Sequence, residues 1–155
     1  MKQHSEEFIS SAREKFGRYR ELVDQLGDDA AREESVVRSV AIQRERMTPF
    51  ISGRTLAEGF GKAVPFFEKS GMEMEVHDIS NDRVDGVLEI QKHCPYLGIY
   101  RDYGFSTPCE VICDIDVEAI GRAFPSMRGA VLSRLACGDC ACVFKYERPQ
   151  ERNDR

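Results

Sequence analysis

A chain of 155 residues supplies one domain, with enough length for a sizeable core and too little for a catalytic unit plus a separate cofactor module. Apolar residues make up 41% and charged residues 32%, which excludes compositional disorder and fibrous repeats, and no apolar run approaches the roughly 20 residues needed to cross a bilayer. The 22 basic residues are outnumbered by 27 acidic ones, and the net charge of −5 is spread along the chain, so neither a nucleic acid nor a membrane is an expected partner.

The start, MKQHSEEFISSAREKF, carries charge at once and lacks an apolar stretch with a cleavage site, so it reads as no secretory signal and a cytoplasmic protein is expected. In that compartment the six cysteines stay reduced and serve as nucleophiles, metal ligands or core fillers.

The first predicted element runs from Ser5 to about Leu26, where Phe8, Ala12, Phe16, Tyr19, Val23 and Leu26 recur at three and four as one helical stripe ending at Gly27. Asp28 and Asp29 start a second helix that buries Val36 and Val40 and stops before Thr48-Pro49. A third spans about Thr55 to Ser70, with a kink or early end expected at Pro65. Within it Gly59-Phe60-Gly61-Lys62 lacks the strand and spacing of a phosphate loop and reads as a close helix contact.

After Gly71 the period shortens to two: Met72 to Asp78, a turn at Ser80-Asn81-Asp82, then Val84 to Ile90 predict a hairpin. Cys94-Pro95 opens a short helical segment to Tyr103, and Thr107-Pro108 opens another to about Phe124. Gly129 to Ala136 and Cys140 to Tyr146 predict a second hairpin around Cys137-Gly138-Asp139. The class is therefore α+β, an antiparallel sheet of two hairpins packed against helices. It forms a single domain over 1–155, with a helical half at 1–70 and a hairpin-helix-hairpin half at 71–148.

The candidate chemistry centres on cysteine. Cys94 stands at a helix start, where free N–H groups and the helix dipole favour a thiolate, and His93 beside it is a candidate proton acceptor. Cys109, Cys113 and Asp116 share one face if their segment is helical, which puts a thiol and a carboxylate within reach of each other. Cys137, Cys140 and Cys142 form a CxxCxC set that can hold zinc if a fourth ligand arrives, and Cys142, Phe144 and Tyr146 point to one side of a strand. Each of these cysteines is also an ordinary core filler.

Cys94-Pro95-Tyr96 with Tyr100 and Gly104, then Cys113 with Asp116, then Gly138 followed by Cys142, Phe144 and Tyr146 resemble the L-2-amino-thiazoline-4-carboxylic acid hydrolase family. The closing GDCACVFKY is also similar to the end of sensor domains named after 4-vinyl reductase. Both resemblances imply an α/β plait with a small-molecule pocket between sheet and helices.

The hydrolase resemblance implies water opening a small sulfur and nitrogen heterocycle by C–N bond hydrolysis. In that reading Cys113 or Cys94 attacks an electrophilic C=N carbon, while Asp116 or His93 moves protons and Cys142 completes the thiol set. Arg101 or Arg134 would hold a substrate carboxylate, with Tyr96, Tyr100, Phe144 and Tyr146 around it. The sensor resemblance implies a binding module for a small molecule or for zinc. The apolar stripe of the first helix exceeds what a single sheet covers, so a homodimer is expected.

Overall fold

Helix α1 spans Glu6–Leu26 in the computed structural model, which describes residues 4–151. Its stripe buries Ala12, Phe16 and Tyr19, and the Ser5 hydroxyl accepts the Phe8 N–H at 3.2 Å to cap the first turn. Gly27 ends it at φ 83°, a left-handed conformation that side chains resist, and returns its N–H to the Val23 carbonyl at 2.8 Å.

Helix α2, Asp28–Ile51, begins at once and runs through Thr48-Pro49 instead of stopping before them. Proline removes one ladder bond, but the Ser52 N–H still reaches the Thr48 carbonyl at 3.1 Å and Ile51 gains burial by continuing. Helix α3, Leu56–Lys69, is capped by the Thr55 hydroxyl accepting the Glu58 N–H at 3.1 Å. It likewise passes Pro65, which lies on the exposed face.

Strands β1, Met74–Asp78, and β2, Val84–Gln91, form the first hairpin, with the Asn81 carboxamide oxygen accepting the Arg83 and Val84 N–H groups in the turn. After helix α4, Cys113–Ala123, strands β3, Arg128–Ser133, and β4, Cys142–Pro149, form the second. The sheet is antiparallel in the order β1-β2-β4-β3, so the two hairpins join through β2 and β4. β4 turns Cys142, Phe144 and Tyr146 to the buried side.

Of the two segments expected to be helical between the hairpins, the first is mostly turns and the second is helical only over its later part. Tyr100–Tyr103 forms one 3-10 turn closed by Gly104, and α4 starts only at Cys113. Upstream, the Thr107 hydroxyl accepts the Cys109 N–H at 3.2 Å and Pro108 takes the Val111 and Ile112 N–H groups, a local closure that competes with a helix start.

Two apolar clusters result. One joins α1, α2 and the 99–115 segment around Phe16, Val36 and Ile112. The other joins α3, α4 and the sheet around Leu56, Phe60, Val87 and Tyr146. Cys113 packs against both.

α2 and α3 touch where a Cβ built on Gly59 would lie 1.3 Å from the Phe50 carbonyl oxygen, so the glycine is the close helix contact its sequence suggests. Below it, buried Asp85 takes the Leu56 N–H at 3.0 Å and the Arg148 Nε at 2.8 Å. Arg148 also donates to the carbonyls of Ile51 at 2.7 Å and Gly53 at 3.1 Å, tying the α2–α3 junction to the sheet.

Candidate functional site

Where the two clusters meet, helices and sheet leave a cavity of about 340 Å³, within the range of small-molecule sites. Its walls are aromatic, with Phe8, Phe50, Phe60, Phe67 and Phe144. The polar groups come from every layer: Lys15 from α1, Gln43 and Arg46 from α2, Glu89 and Gln91 from β2, and Cys113 and Asp116 from the first turn of α4. Tyr96 and Tyr146 complete the lining.

Asp116 accepts the Gln43 amide at 3.2 Å and lies 3.7 Å from the Lys15 ammonium. Glu89 is different in kind. Among the described residues only the Gln91 amide bonds it, at 2.9 Å, and burial raises its carboxyl from the ordinary value to about 7. Burial also raises the Tyr96 and Tyr146 phenols, so both stay protonated donors at neutral pH. One cavity therefore holds a carboxyl group beside a lysine and a carboxylic acid that titrates near neutrality.

A thiol cluster adjoins it. The Cys113 thiol faces the Cys109 sulfur, and that interaction, helped by the Thr107 hydroxyl and the Arg134 guanidinium, holds Cys109 well below the usual thiol range despite burial. The same contact and burial push Cys113 up, so the proton shared by the pair resides on Cys113. Cys94 receives the Tyr96 and Leu97 N–H groups, as a helix-start thiol would, yet burial outweighs them and pushes it up to about 11. The thiolate expected there is thus reversed. Cys142 is raised by burial while its sulfur takes the Leu135 N–H at 3.4 Å.

Of the residues singled out in the sequence, Cys113, Asp116, Tyr96, Phe144 and Tyr146 line the cavity. Cys94 and Cys142 stand outside its lining, near the Cys109–Cys113 pair. His93 is exposed, 3.6 Å from Glu73. Tyr100 is buried with its hydroxyl accepting the Arg101 Nε at 3.1 Å, and Arg101 lies over that ring rather than in the cavity. Arg134 pairs with Asp114 at 2.6 Å behind Cys109. Cys137 and Cys140 are exposed at the β3–β4 connection. Among the described residues no three His, Cys, Asp or Glu side chains are placed to share a metal ion.

Lys15, Gln43, Arg46, Glu89 and Gln91 escaped the sequence reading. For Glu89 and Gln91 a signal existed: both share strand parity with Val87, which is fully buried, so period two turns them inward.

The sequence from residue 6 to 146 matches the profile of the L-2-amino-thiazoline-4-carboxylic acid hydrolases. This chain belongs to that family. No curated protein matches it in sequence. A similar solved structure is the phenol-responsive sensory domain of the transcription activator PoxR with phenol. It is 16% identical with a TM-score of 0.54, and the match covers 92% of this chain and 76% of that one. At that identity the likeness establishes a shared fold. No helix among the described residues of this family member is long and apolar enough to cross a membrane.

Proposed function

We propose that the chain is a hydrolase that opens a small cyclic amidine bearing a carboxylate, with 2-aminothiazoline-4-carboxylate as the type substrate. The observation that carries this reading is the joint presence in one cavity of a thiol, the Asp116 carboxyl beside Lys15, a near-neutral carboxylic acid at Glu89 and the two basic side chains Lys15 and Arg46. Lys15 and Arg46 receive the substrate carboxylate in place of Arg101 and Arg134, neither of which lines the cavity. The Cys113 sulfur attacks the carbon of the C=N bond. Because Cys113 is held protonated, it needs a base at the moment of attack, and Asp116 on the same helix turn takes that proton. Glu89, protonated near neutrality, donates to the ring nitrogen. The ring C–N bond of the adduct then breaks, its nitrogen leaving as an amine with the proton from Asp116. Water adds to the same carbon, displaces the Cys113 sulfur and returns its two protons to Cys113 and Glu89.

The test is turnover of 2-aminothiazoline-4-carboxylate followed by NMR of the ring carbons. Cys113→Ser should lower the rate at least 100-fold with the ligand still bound, and undiminished turnover would remove the covalent step.

A second reading, a ligand-sensing module, is supported by the aromatic walls and by the fold shared with a domain described as phenol-responsive. Tight binding of phenol, with no turnover of the thiazoline, would favour it.

A further inference from the structure

We propose that Gln43 is the specificity residue of the cavity, its carboxamide oxygen accepting an N–H from the exocyclic amino group of a cyclic amidine. This assignment rests on the hydrolase reading and adds to it the feature that separates an amidine from the corresponding cyclic carbonyl compound.

Helix α2 buries Ala31, Val36, Gln43 and Ile51, and the glutamine is the polar member of that stripe. Gln43 is 4% exposed, in a position where leucine or methionine would fill similar space with no polar atom to satisfy. One end of its amide is bonded: Nε2 donates to Asp116 Oδ1 at 3.2 Å. The other end is open. Oε1 accepts no hydrogen bond among the described residues. It is not sealed off either, since Arg134 Nη1 is the fully enclosed side-chain polar atom without a partner there. Oε1 therefore reaches open space, and the open space that Gln43 borders is the cavity. Buried polar atoms are bonded as a rule, so an acceptor held open at the cavity wall is matched by what the cavity binds.

The direction of the amide is fixed by its neighbours. Reversed, it would set Oε1 against Asp116 Oδ1, oxygen against oxygen, at the atom that also lies 3.7 Å from the Lys15 ammonium. The same contact holds Gln43 beside the first turn of α4, the turn that begins at Cys113.

Acceptors are scarce in the rest of the lining. Lys15, Arg46, Tyr96 and Tyr146 donate, and Glu89 keeps its proton up to about 7. In the hydrolase reading the two basic side chains take the substrate carboxylate and Glu89 takes the ring nitrogen, with Gln91 tied to Glu89 at 2.9 Å. The amino group on the carbon that Cys113 attacks is left, and it offers donors. Gln43, held next to Asp116, presents the acceptor for it. A cyclic carbonyl compound puts an acceptor at the same place, so both oxygens lose a partner and the site rejects it.

The test compares 2-aminothiazoline-4-carboxylate with 2-oxothiazolidine-4-carboxylate, titrated into the full chain and followed by ligand NMR, which reads binding and ring opening separately. Repeating the titrations in Cys113→Ser stops turnover while leaving Gln43 untouched. The amino ligand should bind more tightly by about tenfold or more. Gln43→Met, close in volume and without an acceptor, should lower that preference about tenfold by weakening the amino ligand. A glutamine that only supports the fold would weaken both ligands alike, and an unchanged preference overturns the proposal. Should Gln43→Met fail to fold, 2-methylthiazoline-4-carboxylate decides on the wild-type chain, because its methyl group matches the amino group in size and carries no N–H. It should bind about tenfold more weakly than the amino ligand, and equal binding overturns the proposal. So does an amino ligand that does not bind at all. Selective binding of the amino ligand without ring opening would instead remove the hydrolytic step and leave recognition by Gln43 standing.

Discussion

Strand β4 and its approach from β3 carry two partly buried arginines whose surroundings differ in one respect. Arg148 meets oxygen with every nitrogen: the Asp85 carboxylate and the carbonyls of Ile51 and Gly53. Among the described residues the Arg134 side chain meets oxygen only through Asp114, and its other terminal nitrogen is buried without a hydrogen-bond partner, in the neighbourhood of Cys109. The first network is closed, because Asp85 also takes the Leu56 N–H at the start of α3 and the Ser80 hydroxyl. A closed network resists change and serves the fold. An open one keeps an unused donor beside a polarisable atom, and that atom is where reactivity collects.

The sharpest way to break this contrast is Asp85→Ala. It strands a guanidinium and a backbone N–H in the interior, and a loss of about 3–5 kcal/mol in urea unfolding is expected, with collapse of the α2–α3 junction. A loss under about 1 kcal/mol would show that the closed network is ornamental.

Next comes Glu89→Gln. The folded chain holds this carboxyl at about 7, above its ordinary value of 4.5. The folded state therefore binds the proton more tightly, and Glu89 lowers stability progressively as pH rises from about 4.5 to about 7. Glutamine removes that penalty. Unfolding at pH 8 should be harder by about 1–3 kcal/mol in the variant, with little difference at pH 4, and turnover should fall across the whole range.

The smallest effect on stability belongs to Arg134→Gln, about 1 kcal/mol or less, because its ion pair with Asp114 is partly solvated. Its signature lies in thiol chemistry. Iodoacetamide alkylation of Cys109 in wild type should persist below pH 7, whereas in the variant it should follow an ordinary thiol titration. Equal stability losses at Arg134 and Asp85 would erase the distinction between the two sites.

Much of the architecture is legible in the sequence because its cause is local. Spacing of three and four marks α1 to α3, period two marks both hairpins, and Gly27 marks a helix end. Pro49 and Pro65 mislead, since proline forfeits one bond that tertiary burial readily offsets.

The site is less legible. The family motif reaches Cys113, Asp116, Tyr96, Phe144 and Tyr146, but the cations at Lys15 and Arg46 arrive from helices whose charged residues look like solvated faces. Cys109 and Cys113 meet across a turn rather than along a helix. The orphan nitrogen of Arg134 is visible only once partners are assigned. Pairings of that kind depend on chain approach, which spacing does not encode.

Gly59 has one more implication. Phe50 and Phe60 both belong to the cavity lining, and the backbone contact at position 59 sets how near their two helices stand. Even a methyl group there would wedge α3 outward and enlarge the chamber. The absence of a side chain thus acts as a gauge, so chains that carry a larger residue at this position are expected to accept bulkier ligands on the same scaffold.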